Sequence, residues 1–275
     1  MTTIPLSRSG KPAIDAAREI VLEAGDILRR RATQELRITE KGRGNLLTNA
    51  DIEVENFYAE RLEAEFPGYG LLGEESGRRG GAGPYTWIVD PLDGTRNYAL
   101  KIPYYASTIA LAHDGEIILG LTYNPVSNEL FWAERGSGAY LNDHRIHISR
   151  RTRLADCTVA TDLGYSDVLA GHALGLLSTL WPGIEAVRVM GSAALGIAYA
   201  ACGRTDIYFH HHLSPWDIAA GILIAREAGG VVTDRNGGAM RLDTPDIIAT
   251  NQTLLAEFLK KSEGHAWRSG RDPKL

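Results

Sequence analysis

Three apolar residues, Trp87-Ile88-Val89, run directly into Asp90-Pro91-Leu92-Asp93-Gly94-Thr95-Arg96-Asn97. The apolar run predicts a buried strand, and the Pro/Gly turn predicts its abrupt end. Two carboxylates are therefore placed at a buried strand end, where they lose hydration and repel each other. A fold that keeps them there either uses them to cap turn N–H groups or sets a cation between them. A divalent ion at the pair leaves the amides of Gly94 and Thr95 facing outward, where they can hold an anion such as phosphate. The stretch points to metal-dependent phosphate chemistry.

The rest of the chain narrows the classes that fit. At 275 residues it can bury one large core or two small, intimately packed units. A net charge of -5 argues against nucleic-acid binding driven by bulk electrostatics. It is compatible with an anionic substrate, because bound metal inverts the local field. Cys157 and Cys202 are far apart, so neither a disulfide framework nor a Cys-rich zinc site is expected, and a reducing cytoplasm is the simplest location. Residues 1–6 lack a signal pattern, and no apolar run reaches membrane-spanning length, so no membrane partner is expected.

Periodicity predicts a helix over 12–31, with Ile14, Ala17, Val21, Ala24 and Leu28 on one face. A second helix is predicted over 50–66, opened by the capping box Thr48-x-x-Asp51 and stopped by Pro67-Gly68. Residues 77–84 read as a Gly/Arg-rich connector. Strands follow at 107–113 and 116–123 around the hairpin dipeptide Asp114-Gly115, then at 129–133 and 138–141, giving an antiparallel sheet. The second half alternates: strand 187–190, helix 192–201, strand 206–209, helix 217–228, strands 231–234 and 247–250. The expected class is α/β, with an N-terminal α+β half (1–150) and a C-terminal α/β half (151–275) forming one compact catalytic unit.

The turn at Asp90 resembles the first signature of the inositol monophosphatase family of magnesium-dependent phosphatases. Trp216-Asp217-Ile218-Ala219-Ala220-Gly221 through Gly230 resembles its second signature, and Gly73-Glu74-Glu75-Ser76 a third element upstream, all in family order. The resemblance runs from about the first helix to the 250s. It implies a layered α/β/α/β/α sandwich and Mg²⁺-dependent hydrolysis of a phosphate monoester. Inositol monophosphate is the first expectation. The alternatives are fructose 1,6-bisphosphate, histidinol phosphate, NADP and 3′-phosphoadenosine 5′-phosphate, or a non-catalytic phosphate-binding protein on the same fold. It also implies lithium sensitivity and a homodimer.

Residue by residue, the resemblance gives metal ligation to Glu74, Asp90, the Leu92 carbonyl, Asp93 and Asp217, holding two or three Mg²⁺ ions. Oxygen donors alone favour Mg²⁺ over zinc. Thr95, Asp51 and Glu74 are the expected catalytic group, with Asp51 accepting from a Thr95 hydroxyl that orients the attacking water. A divalent cation acidifies water, so no histidine base is required. Substrate contacts are expected from Asp93, Gly94, Thr95, Gly191, Ser192, Ala193, His210 and Asp217. Each also has a plainer role open to it: Asp51 in the capping box, Thr95 as a turn hydroxyl, Asp217 and Ser192 as helix caps. Lys41 lies where relatives often carry a lysine near phosphate, and Glu75 diverges from Glu74. His210-His211-His212 reads as a loop, because adjacent side chains leaving a strand diverge. His210 stands where inositol-specific relatives usually carry a glutamate, which leaves the substrate open.

Overall fold

The computed structural model describes residues 4–273, so the part of the N-terminal reading that falls on residues 1–3 lies outside the described residues. Helix α1 (Ala13–Ala32) leads into a hairpin, β1 (Ile38–Gly42) and β2 (Asn45–Thr48), and then α2 (Asn49–Glu65). Next come β3 (Gly70–Gly73), β4 (Gly77–Arg79), β5 (Tyr85–Asp93) and the short α3 (Thr95–Ala99). Strands β6 (Ala106–His113), β7 (Glu116–Asn124), β8 (Glu129–Glu134), β9 (Gly138–Leu141) and β10 (His144–Arg145) complete an eight-stranded sheet ordered β10-β9-β8-β7-β6-β5-β3-β4. The second half runs β11 (Thr158–Thr161), α4 (Asp167–Leu180), β12 (Ala186–Val189), α5 (Ala193–Ala201), β13 (Ile207–His210) and α6 (Pro215–Glu227). It ends with β14 (Val231–Thr233), β15 (Ile247–Thr250), α7 (Gln252–Lys261) and α8 (Ala266–Ser269), its five strands ordered β12-β11-β13-β15-β14.

Strand alternation generates the layers. On β5, Trp87 and Val89 face the cluster built on α1 and α2, with Ile20, Leu28, Val54 and Tyr58, while Ile88 faces the opposite side. On β13, Tyr208 joins the central cluster and Phe209 the outer one with Leu176, Phe258 and Trp267. Helices α5 and α6 lie between the two sheets, so the order is α/β/α/β/α. The central core draws on both halves, from Ala110 and Phe131 to Ile197, Ile218 and Ile247. The two middle helices approach closely because residue 221 is glycine: a Cβ there would come within 2.7 Å of Ile197.

Both long N-terminal helices and the Asp114-Gly115 hairpin form where the sequence places them, the latter with φ of 51° and 81°. Three local expectations change. The supposed connector begins with β4, antiparallel to β3. The N-terminal sheet is mixed, because β3 runs parallel to β5. The β1–β2 hairpin, β11, α4 and α7 are additional elements. Among the described residues, no helix is long and apolar enough to cross a membrane.

Candidate active site

The site forms where the end of β5 meets the first turns of α5 and α6. In a regular strand, residues three apart face opposite sides. Here β5 bulges: Asp90 opposes Thr108 and Asp93 opposes Ala106, so three steps on β5 match two on β6. The extra residue turns both carboxylates toward the same space, and Pro91 is tolerated because the ladder is interrupted there. Asp217 completes the group from α6, and one carboxylate oxygen from each of Asp90, Asp93 and Asp217 lies within 4.8 Å of the others. Asp217 is not the helix cap: Ser214 is, and Asp217 is the third residue of the helix. Its Oδ2 accepts from the Ser214 amide at 2.7 Å.

Asp51 divides its two oxygens between the two roles open to it. Oδ2 accepts from the Thr48 amide (2.8 Å) and hydroxyl (2.5 Å) in the capping box. Oδ1 accepts from the Thr95 hydroxyl at 3.1 Å, and that hydroxyl also lies 2.8 Å from the Leu92 carbonyl. Glu74 stands outside the tight triad, but its charge helps raise Asp90. Lys41, in the β1–β2 hairpin, is 2.5 Å from Glu75 and 3.5 Å from Glu74. Glu55, buried one helical turn after Asp51, escaped the sequence reading. Its carboxylate accepts from the amides of Glu75 (2.8 Å) and Ser76 (2.7 Å) and so fixes the segment carrying Glu74.

Asp93 sits on the N-terminus of α5, accepting from the amides of Ala193 (3.2 Å) and Ala194 (3.0 Å) and from the Ser192 hydroxyl. Asp162, also not anticipated, accepts from the amides of Met190 and Gly191 and from Tyr208. Gly191, Ser192 and Ala193 thus border the site with these groups already engaged. They line a cavity of about 420 Å³ together with Asp93, Gly94, Thr95, His210, His212 and Asp217. His210 is buried, and its Nδ1 accepts from the His211 amide at 2.6 Å, leaving Nε2 to carry the proton. Burial lowers its pKa to about 4, so the imidazole is neutral at physiological pH. The histidines do not converge, and the rings of His210 and His211 are inclined at 76°.

The electrostatics call for a cation. Burial first, and then Glu74, Asp93 and Asp217, hold Asp90 well above the usual carboxylate range. Burial and Asp93 do the same to Asp217. Burial raises Asp93 to about 6 against the opposing bond from Ser192, and raises Glu74 to about 7 against Lys41. Asp51 is raised to about 6 by burial. Acids this reluctant to ionise, with oxygen donors only and converging on one point, fit a hard divalent cation.

An acidic triad suited to a cation, at a strand end beside a buried hydroxyl–carboxylate pair and open to a cavity, fits a phosphate-ester hydrolase. The sequence profile of the Inositol monophosphatase family matches residues 10–266, and the chain belongs to that family. A Mesorhizobium japonicum protein named inositol-1-monophosphatase is 39% identical over 252 residues, covering 90% of this chain and 92% of the relative. A Xylella fastidiosa protein named Nus factor SuhB is 38% identical over 237 residues, covering 85% and 86%. The crystal structure of extragenic suppressor protein suhB from Bartonella henselae matches with a TM-score of 0.87 at 38% identity, over 91% of this chain and 98% of that one. The Thermotoga maritima IMPase matches at 0.83 and 31% identity, over 90% and 95%. The protein is a phosphomonoester hydrolase acting on a small-molecule phosphate. Its oxygen-only triad fits the Mg²⁺ that the family uses.

Proposed function

We propose that this phosphatase hydrolyses small polyol phosphates, with inositol 1-phosphate among its substrates but not its exclusive one. The observation that carries the reading is the convergence of Asp90, Asp93 and Asp217 beside the Thr95–Asp51 pair. Two or three Mg²⁺ ions held by these acids, Glu74 and the Leu92 carbonyl would polarise the phosphate, acidify the attacking water and stabilise the leaving oxygen. The Asp51 carboxylate and Leu92 carbonyl both accept from Thr95, which fixes the Thr95 hydroxyl so that its lone pairs orient water toward phosphorus. Glu55 and Lys41 set the position of Glu74, and the α5 N-terminus sets that of Asp93. Gly94 and Thr95 contribute amides to the phosphate, while Gly191, Ser192, Ala193 and His210 border the departing alcohol. Water oxygen forms the new P–O bond, the ester P–O bond breaks, and the alcohol leaves with a proton that originated on water.

The N-terminal and C-terminal halves act as one catalytic unit in this reading, since the triad needs a residue from each. A homodimer is also proposed. Its support is a set of exposed apolar side chains, Leu100, Ile102, Val189 and Met190, on segments joined by the 2.7 Å bond from Asn97 to the Met190 carbonyl. A mass measurement in solution at twice the chain mass is expected, and a monomer would contradict it. A binding-only protein has no use for the complete acid set with its oriented threonine. The functional test is phosphate release in Mg²⁺ from inositol 1-phosphate, glycerol 2-phosphate, histidinol phosphate, NADP and 3′-phosphoadenosine 5′-phosphate. Release from the polyol esters is expected. Release from none of them would favour the binding-only reading, and release from the nucleotides alone would reassign the substrate class.

A further inference from the structure

The floor of the cavity is acidic, but its rim carries two arginines. Arg43, in the turn between β1 and β2, pairs with Asp167 at the start of α4, and both lie at the mouth. Arg96 follows Thr95 in α3 and lines the same cavity. Its side chain makes no hydrogen bond or ion pair with another described residue. Its guanidinium rests on the hairpin turn at Gly44, where a Cβ would come within 2.9 Å of Nη1.

The other charges of the cavity are accounted for. Asp93 and Asp217 belong to the acidic triad, Asp162 is held by two amides and Tyr208, and Asp167 has Arg43. Arg96 is the charge left over. The Arg43–Asp167 pair is exposed on both sides, 78% and 65%, so water screens it and it exchanges readily for another anion. A neutral polyol, by contrast, finds Tyr165, His210 and His212. The Ser192 hydroxyl and the Ala193 and Ala194 amides are engaged by Asp93, and His210 offers a single donor.

We propose that Arg96, assisted by Arg43, forms an anion subsite that selects phosphomonoesters whose leaving alcohol carries a second anionic group, phosphate or carboxylate. A guanidinium fork binds either bidentately. This rests on the phosphatase reading and deepens it: inositol 1-phosphate is turned over, and esters with an anionic leaving group are preferred.

The test compares kcat/KM at constant free Mg²⁺ within two matched pairs. They are 3-phosphoglycerate against glycerol 3-phosphate, and fructose 1,6-bisphosphate against fructose 1-phosphate. The wild-type protein is expected to prefer the more anionic member of at least one pair. Arg96→Gln should lower that preference ratio about fivefold, and Arg43→Gln less. A fall confined to the first pair identifies carboxylate as the recognised group, and one confined to the second identifies phosphate. An unchanged ratio in Arg96→Gln overturns the subsite even if both rates drop together, because a parallel loss would place Arg96 in support of Thr95. Turnover of all four esters by the wild type without preference overturns the subsite alone. No phosphate release from any of them overturns the phosphatase reading, and the subsite with it.

Discussion

Asp217→Asn should stabilise the metal-free protein while abolishing its response to metal. The asparagine keeps an oxygen for the Ser214 amide, which Asp217 Oδ2 now accepts at 2.7 Å, and it preserves volume. It removes a buried charge whose oxygen lies within 4.8 Å of those of Asp90 and Asp93. One fully ionised neighbour at that distance opposes it by about 3.5 kcal/mol at an effective dielectric of about 20. The cluster relieves part of this by holding protons, as the raised pKa values of Asp90 and Asp217 show. A net gain of about 1–2 kcal/mol is therefore expected, or about 2–8 °C in Tm for a chain of this size. The assay is thermal unfolding of wild type and variant in EDTA and in millimolar Mg²⁺. The variant should melt higher in EDTA. Adding Mg²⁺ should raise only the wild type, because a ligand stabilises the state that binds it. A variant that melts lower in EDTA, or that gains as much from Mg²⁺ as the wild type, would refute the reasoning.

Three further outcomes follow from the same geometry. Asp51 and Asp93 near 6 and Glu74 near 7 are raised above their ordinary values, so between about pH 4 and 7 the folded protein binds more protons than the unfolded chain. Their contribution to stability is complete below about pH 4 and lost as pH rises through 7. Metal-free protein should accordingly melt lower at pH 8 than at pH 5.5, with Mg²⁺ narrowing the gap; a rise in Tm over that interval would contradict the cluster's electrostatics. Thr95→Ala should lower kcat by about 10²-fold with a smaller change in KM, since its hydroxyl is assigned to orienting water. A pure rise in KM would reassign it to substrate binding. His210→Glu should shift kcat/KM toward inositol 1-phosphate relative to glycerol 2-phosphate by about 1–3 kcal/mol, because an acceptor of two hydroxyls replaces a single donor. An unchanged ratio would show that residue 210 does not read the alcohol.

The sequence made local features legible and left assembled ones obscure. Asp90-Pro-Leu-Asp93 announces itself because strand, breaker and acids are contiguous. The capping box at Thr48 and Asp51 is equally local, although only the fold reveals that Asp51 serves Thr95 with its second oxygen. Glu55 left a signal that was available: an acid one turn after Asp51 on the face that carries Val54, Tyr58 and Leu62. Asp162 left almost none, because it follows β11, a strand of only four residues. The β1–β2 hairpin is exposed or half-buried along nearly all its length, so no apolar alternation marks it. Helix α4 was readable from Leu169, Ala173, Leu176, Leu177 and Leu180. Gly191, Ser192 and Ala193 were expected as substrate contacts beside a helix start. That the protein's own Asp93 takes the Ser192 hydroxyl and the Ala193 and Ala194 amides depends on how β5 meets α5, which no single segment encodes.

The most direct test of the central claim is a Mg²⁺ titration of phosphate release from inositol 1-phosphate, begun with chelator-stripped protein. Turnover should be absent in EDTA, rise saturably with free Mg²⁺, and disappear again when chelator is restored. Undiminished turnover in excess EDTA would contradict a mechanism built on cations held by Asp90, Asp93 and Asp217.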